Sequence, residues 1–197
     1  EAADEFPKDK TALVGIPIRK ALLEKTPNPK EKLGLPADKP LIFVTGGSLG
    51  SQRINRLILE SLDELLPHYS ILHQTGEKNE TDIQQTSAQL ITDNALLANY
   101  FVKGTLNAEE VHDAQSAADI VVSRAGTGTI FEIAKKGVPA ILIPIPEDIS
   151  HDQRSNAYAY ARAGGASVME EGNLTDGLLS AEINRIMSDA TVYKQMA

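Results

Sequence analysis

The sequence predicts an α/β protein in three layers, a parallel sheet with helices packed on both faces. Three observations carry this. From Leu41 onward, short apolar β-compatible runs alternate with helix-length stretches. The runs are mostly continuous in apolar character, as strands covered on both faces are. The glycine-rich and polar turns fall at the carboxyl ends of those runs, where an open parallel sheet binds its ligands.

Residues 1–10 (EAADEFPKDK) are polar and read as a tail or linker. Residues 11–20 (TALVGIPIRK) hold a short strand pattern ending at Gly15, and Pro17 stops it, so Arg19 emerges from a turn. ALLEK at 21–25 is a helical piece, and Pro27, Pro29, Gly34 and Pro36 make 21–39 a connecting segment with partial helix. A strand at 41–45 leads to a helix over 51–66 that ends near Pro67. YSILH (69–73) is the next strand, with Gln74-Thr75-Gly76 as its exit, and Ile83 and Leu90 give the polar stretch 77–90 a helical spacing. A brief strand at 99–104, a helix at 106–117 and a strand at 118–123 follow. Arg124-Ala-Gly-Thr-Gly-Thr opens a helix to Lys136, 138–143 is a strand closed by Pro144 and Pro146, and 151–163 is a helix stopped by Gly164 and Gly165. A strand at 166–169 and a helix capped from Asn173 or Thr175 and running towards Met187 complete the pattern. The turns at 15–19, 46–51, 74–76, 101–104, 123–129 and 144–153 should therefore converge on one cleft.

At 197 residues the chain fits one domain with a full-sized core. The formal net charge of −8 argues against a nucleic-acid backbone as partner. Cysteine is absent from the sequence, which excludes disulfides, thiol catalysis and cysteine-ligated metal. No apolar run reaches the ~20 residues of a membrane helix and the first residues are acidic, so the expected compartment is the cytoplasm.

LIFVTGGSLGS (41–51) is the first stretch with chemical content. A buried strand ending in Gly46, Gly47, Ser48 and Gly50 and opening a helix presents free N–H groups to an anion. It reads as a phosphate seat, or as a tight packing turn. It lacks the Lys-Ser/Thr ending of a Walker loop and the GxGxxG spacing of a dinucleotide fingerprint. RAGTGTIFEIAKKG is the second. Glu132 lies three residues past Thr129, so it either closes a capping box or offers a carboxylate to a vicinal diol. In HDQRSN, Gln153 and Asn156 share a helix face and can both address a sugar. Arg19 suits a phosphate or a surface ion pair. The histidines at 68, 73, 112 and 151 have no metal-site spacing, and His73 either packs at a strand end or lines the cleft. There is no GxSxG elbow and no triad; Asp152, Glu132 and His151 are candidates for a base by type only.

In this order, GIPIR, GGSLGSQRINR, HQTG, SRAGTGTIFEIAKKGVPAILIP and DQRSNA resemble the carboxyl-terminal domain of the MurG glycosyltransferase family over residues 11–190. The resemblance implies a Rossmann-like three-layer sheet, the carboxyl-terminal half of a GT-B transferase, with a donor-binding domain over 11–197. It implies an inverting, metal-independent and cofactor-free enzyme of peptidoglycan synthesis. Such an enzyme moves N-acetylglucosamine from UDP-GlcNAc to the C4 hydroxyl of lipid I, giving lipid II. Carried onto this sequence, it assigns Gly47, Ser48 and Gly50 to the diphosphate and Arg19 to the uracil and diphosphate end. The main chain around Phe101 and Val102 would edge the uracil, and Thr127, Gly128 and Thr129 would contact phosphate and sugar. Glu132 would hold the ribose hydroxyls, and Gln153 and Asp152 would reach the N-acetylglucosamine with Asn156 in support. Leu49 and Asp152 stand where the family often has glutamine.

The family's acceptor domain is absent from these residues, so the chain is expected to be a fragment or a separate donor subunit. The lipid-linked acceptor, the general base and peripheral membrane contact at the cytoplasmic face of the plasma membrane would belong to that missing part. The chain alone should bind UDP-sugar weakly and transfer poorly. Two alternatives stay open, a non-catalytic donor-binding subunit with a membrane partner and a transferase using another UDP-hexose or acceptor. A dinucleotide-binding domain would need a ribose-binding acid about 20 residues past the first glycine turn; Glu64 falls near that distance, but on a helix rather than at the next strand's end.

Overall fold

The computed structural model describes residues 7–10, 26–147, 149, 151–175 and 177–197. Six parallel strands form one sheet: β1 (Leu41–Thr45), β2 (Ser70–Gln74), β3 (Tyr100–Lys103), β4 (Ile120–Ser123), β5 (Ala140–Leu142) and β6 (Ala166–Val168). Their spatial order is β3-β2-β1-β4-β5-β6, so the order reverses between β1 and β4. The helices are α1 (Pro29–Lys32), α2 (Gln52–Leu65), α3 (Glu80–Leu90), α4 (Asn94–Leu97), α5 (Ala108–Ala117), α6 (Thr127–Lys136), α7 (His151–Arg162), α8 (Leu178–Ser188) and α9 (Ala190–Met196). This is the doubly wound, Rossmann-like arrangement that the alternation predicts.

Alternation along the strands builds two cores. Ile42 and Val44 of β1, Ile120 and Val122 of β4 and Ile141 of β5 meet Ile54, Leu57, Ile58 and Leu62 of α2 and the apolar face of α8. Leu41, Phe43, Val121, Ala140 and Leu142 point the other way, onto α5, α6 and α7. The register fixes this division: Ile42 faces Ile120 and Phe43 faces Val121, so a one-residue slip would exchange the two faces. Asp119 pins that register at the strand start. Its carboxylate accepts the Leu41 N–H at 2.7 Å, and its own N–H donates to the Leu41 carbonyl at 2.9 Å.

The differences from the sequence reading are small and have local causes. β2 begins one residue later than expected and extends to Gln74, because Thr75 and Gly76 continue the pairing to Lys103 and Gly104. β5 is shorter than 138–143, since Pro139 has no N–H for the ladder. Helices α4 and α9 were not expected; neither buries a residue, and each is started by an aspartate, Asp93 and Asp189, accepting from the first turn. The predicted strand at 11–15, the helical piece at 21–25 and Arg19 lie outside the described residues.

One polar chain crosses the α2-side core. The Tyr100 hydroxyl lies 2.7 Å from His73 Nδ1, and His73 Nε2 lies 3.1 Å from Asn55 Oδ1. Asn55 donates onward to the Thr75 carbonyl at 3.0 Å. His73 is fully buried, and Asn55 is nearly so. The chain is consistent when the neutral imidazole accepts from tyrosine and donates to asparagine. Burial lowers the His73 pKa from 6.5 to about 3 and raises that of Tyr100 above its usual range.

This lowered pKa sets a direction for acid sensitivity. The unfolded chain takes up a proton near pH 6.5 that the folded chain refuses until about 3, so stability is full above 6.5 and is lost as pH falls through that window. Between pH 7 and pH 5 the loss from this group is about 2 kcal/mol. Urea titrations at the two pH values should show it, and His73→Gln should flatten the slope while lowering stability at pH 7.

Candidate functional site

At the β1/β4 reversal, neighbouring strands send their helices to opposite faces, α2 to one and α6 to the other, and a crevice opens between the two exits. The glycine loop forms its first wall. A Cβ on Gly50 would run into the Thr75 carbonyl, and one on Gly76 into the Leu49 carbonyl, so the exits of β1 and β2 interlock backbone on backbone. Both residues also have positive φ, 74° and 88°. Gly47 is different: its φ is 88°, but a side chain there would meet nothing within 4 Å.

Several donors of this loop are already engaged. Thr45 Oγ1 accepts the Gly47 N–H at 3.0 Å and donates to Gln74 Oε1 at 2.9 Å. Gly50 N–H donates to the Gly47 carbonyl at 3.0 Å. Ser51 is the N-cap of α2, accepting from the Ile54 N–H, and its hydroxyl also accepts from Arg124 at 2.8 Å. Ser48 is exposed and has no hydrogen-bond partner among the described residues, so its hydroxyl is open to a ligand.

The second wall is the start of α6. Its N-cap is Gly126, which supplies no side-chain oxygen, and its first turn carries no acid. The first intrahelical bond runs from the Ile130 N–H to the Gly126 carbonyl at 3.0 Å. The N–H groups of Thr127, Gly128 and Thr129 are therefore uncapped at the positive end of a ten-residue helix. A side chain on Gly128 would meet nothing within 4 Å, so the approach is open. This turn can take an anion without displacing any protein group.

Glu132 is not a capping residue here. Neither Thr127 nor Thr129 caps α6, and the Glu132 carboxylate accepts instead from Gln115 Nε2 of α5 at 3.0 Å. The capping-box reading falls, and half-buried Glu132 keeps acceptor capacity for a ligand. Gln153 at the start of α7 turns inward: its Oε1 accepts the N–H groups of Ala125 at 3.2 Å and Ile145 at 3.3 Å, tying the exits of β4 and β5 together. Its Nε2 has no partner among the described residues and remains a donor. Asn156 donates to Thr127 Oγ1 at 3.2 Å, and Asp152 is exposed.

Arg124 is the residue that sequence reasoning missed. It donates to Ser51, to the Ile143 carbonyl at 3.2 Å and to the Pro144 carbonyl at 3.1 Å, and it pairs with Glu171 at 2.6 Å. That last contact is an ion pair without aligned hydrogen-bond geometry, since Glu171 Oε2 is buried without a hydrogen-bond partner. The signal was present: an arginine directly between a buried strand and a glycine turn has backbone carbonyls of neighbouring strands within reach.

Phe101 and Val102 lie inside edge strand β3, two strands from β1, with side chains on opposite faces. The carboxyl end of β3 is formed by the residues after Lys103, namely Gly104 to Leu106. Glu64, the acid that a dinucleotide site would need, is hydrogen-bonded to Ser180 of α8, near the far end of α2 from the crevice. The crevice continues into a groove of about 500 Å³ lined by Gly46, Gly50, Arg53, Arg56, Arg124 and Ile149. A larger groove of about 630 Å³ between α2 and α3 shares only Gln52 and Arg56 with it. Among the described residues, no group of three or more histidines and carboxylates could hold a metal ion.

Comparison with known proteins bears on this geometry. Residues 41–197 match the glycosyltransferase family 28 C-terminal domain. The UDP-N-acetylglucosamine–N-acetylmuramyl-(pentapeptide) pyrophosphoryl-undecaprenol N-acetylglucosamine transferase of Acetivibrio thermocellus is 34% identical over 200 residues, covering 99% of this chain and 52% of that protein. The protein of the same name from Clostridium botulinum (strain Loch Maree) is 32% identical over 195 residues, with 98% and 52% coverage. The crystal structure of Acinetobacter baumannii MurG superimposes with a TM-score of 0.70 at 25% identity, covering 97% of this chain and 52% of that one. A UDP complex of S. aureus MnaA shares the fold at 13% identity, with a TM-score of 0.59 and coverage of 87% and 42%. The chain thus spans about half the length of the curated relatives it matches.

The two kinds of glycine in the first loop should respond differently to substitution. Gly50→Ala forces backbone apart at a left-handed position and should cost about 3 kcal/mol or more of stability in chemical denaturation. Gly47→Ala meets open space and should cost only the left-handed strain, about 1–2 kcal/mol.

Proposed function

Because the chain belongs to the glycosyltransferase family 28 C-terminal domain family, we propose that it is the donor-binding half of an inverting transferase acting on UDP-N-acetylglucosamine. The whole enzyme would place N-acetylglucosamine on the C4 hydroxyl of a muramoyl pentapeptide carried on a polyprenyl diphosphate, the step that forms lipid II. The observation that carries this reading is the uncapped first turn of α6 at the strand-order reversal, with Glu132 one turn further along the same helix.

In this reading the diphosphate sits on the N–H groups of Thr127, Gly128 and Thr129, facing the Ser48 hydroxyl across the crevice beside Gly47 and Gly50. Glu132 accepts from the two ribose hydroxyls, for which one carboxylate has enough acceptor sites. The uracil lies towards β3, edged by main chain following Phe101 and Val102, and Arg19 approaches the diphosphate. The free Nε2 of Gln153 and the Asp152 carboxylate address the sugar, while Asn156 acts through Thr127. Departure of UDP develops negative charge on the β-phosphate, and fixed helix N–H donors stabilise it without reorganising. The base that takes the acceptor's proton, the lipid acceptor and any contact with a membrane surface are assigned to the half of the relatives that this chain does not match. Among the described residues, no helix is long and apolar enough to cross a membrane.

Calorimetry with UDP, UDP-N-acetylglucosamine, UDP-glucose and NAD tests the reading. UDP should retain most of the affinity of UDP-N-acetylglucosamine, and NAD should not bind measurably; tighter binding of NAD than of UDP would sink the proposal. Glu132→Ala removes charge-assisted bonds to the ribose and should weaken UDP by about 30-fold, some 2 kcal/mol, while the fold stays intact at a melting temperature lowered by a few degrees, because the buried Gln115 Nε2 loses its partner.

A further inference from the structure

Gln115 is buried to 1% exposure in the last turn of α5, where an amide side chain adds nothing to packing that leucine or methionine would not. Its Nε2 donates to Glu132 Oε2 at 3.0 Å, while its Oε1 is buried with no partner. The two halves of the amide are thus unequal. The site accepts an orphaned carbonyl, which is costly in a dry interior, and in return keeps an N–H on the carboxylate. Turning the amide over would bring its oxygen against the carboxylate oxygen, so the charge of Glu132 fixes the orientation of Gln115 as much as the reverse.

We propose that Gln115 is the positioning residue for ribose recognition: by holding Oε2 of Glu132 from behind, it aims the remaining acceptor positions of the carboxylate at the vicinal hydroxyls of the nucleotide and so selects ribonucleotide over deoxyribonucleotide. This rests on the assignment of Glu132 to the ribose above. A neutral donor suits the task. Arginine or lysine at this place would neutralise the carboxylate, whereas an amide orients it and leaves its charge to strengthen bonds from the sugar. Lys136, one turn further along the same helix, has its Nζ 3.2 Å from His112 Nε2 and attracts the Glu132 charge without hydrogen-bonding to it. A carboxylate on a three-bond stem would otherwise spend rotamer freedom on binding, and anchoring it in advance removes that cost.

The test compares UDP with 2′-deoxy-UDP by calorimetry in the chain and in three variants. The unaltered chain should prefer UDP by tenfold or more. Gln115→Met keeps the volume and removes both the donor and the orphaned carbonyl; it should weaken UDP about five- to tenfold, leave 2′-deoxy-UDP less affected and so shrink the preference, at a melting temperature no lower than that of the unaltered chain. Gln115→Leu also removes the donor and fills the same buried place, so it should shrink the preference as Gln115→Met does, which keeps the test decisive if the methionine variant folds poorly. Glu132→Ala separates the two levels of the argument. If Glu132→Ala erases the preference while both Gln115 variants keep it, the positioning role is overturned and the donor-site reading stands. If Glu132→Ala leaves UDP binding unchanged, the ribose assignment fails and the positioning role falls with it.

Discussion

The crevice depends on one backbone constraint: the exits of β1 and β2 close on each other with no side chain between them. Gly50 lies on the Thr75 carbonyl and Gly76 on the Leu49 carbonyl. That carbonyl of Thr75 is itself fixed from beneath, by Asn55, which His73 holds in the core, and by Asn79 at 2.9 Å. The loop that bears Ser48 is therefore held by a buried polar chain reaching back to Tyr100 on the edge strand.

Given that frame, the two helix starts at the strand-order reversal have different roles. The first turn of α2 is closed by its own cap, and that cap is in turn gripped by Arg124. The first turn of α6 is left without a side-chain cap, although serine or aspartate in place of Gly126 would stabilise the helix by roughly a few tenths of a kcal/mol. An uncapped helix start at a ligand crevice is a local loss of stability with a use: an anion can supply what the cap does not. Arg124 and Gln153 complete the arrangement by binding the exits of β1, β4 and β5 to one another, so the open turn is carried on a rigid support.

Much of the fold was legible because its signals are local. Continuous apolar runs, amphipathic helices and glycine turns at strand ends locate β1, α2, β4, α6 and β5 without tertiary information. The short helices α4 and α9 were not legible, since neither has a buried stripe. At the site, glycine spacing pointed to the right loops, but which donors remain free depends on contacts between distant residues. The Gly47 N–H is taken by Thr45, and the Gln153 carbonyl oxygen by Ala125 and Ile145. Gln115 and Glu132 are seventeen positions apart, on helices with β4 between them, so their bond has no sequence signature. The same holds for Arg124, whose four partners come from α2, β5's exit and the turn after β6.

The central claim is that the diphosphate of a uridine nucleotide sits on the open first turn of α6. Amide chemical shifts followed during titration with UDP and, separately, with uridine test it most directly. The account predicts that UDP moves the amides of Thr127, Gly128 and Thr129 more than any in α2, and that uridine leaves these three nearly unchanged while moving residues beyond β3. Shifts from UDP confined to the first turn of α2, with the α6 amides still, would contradict it.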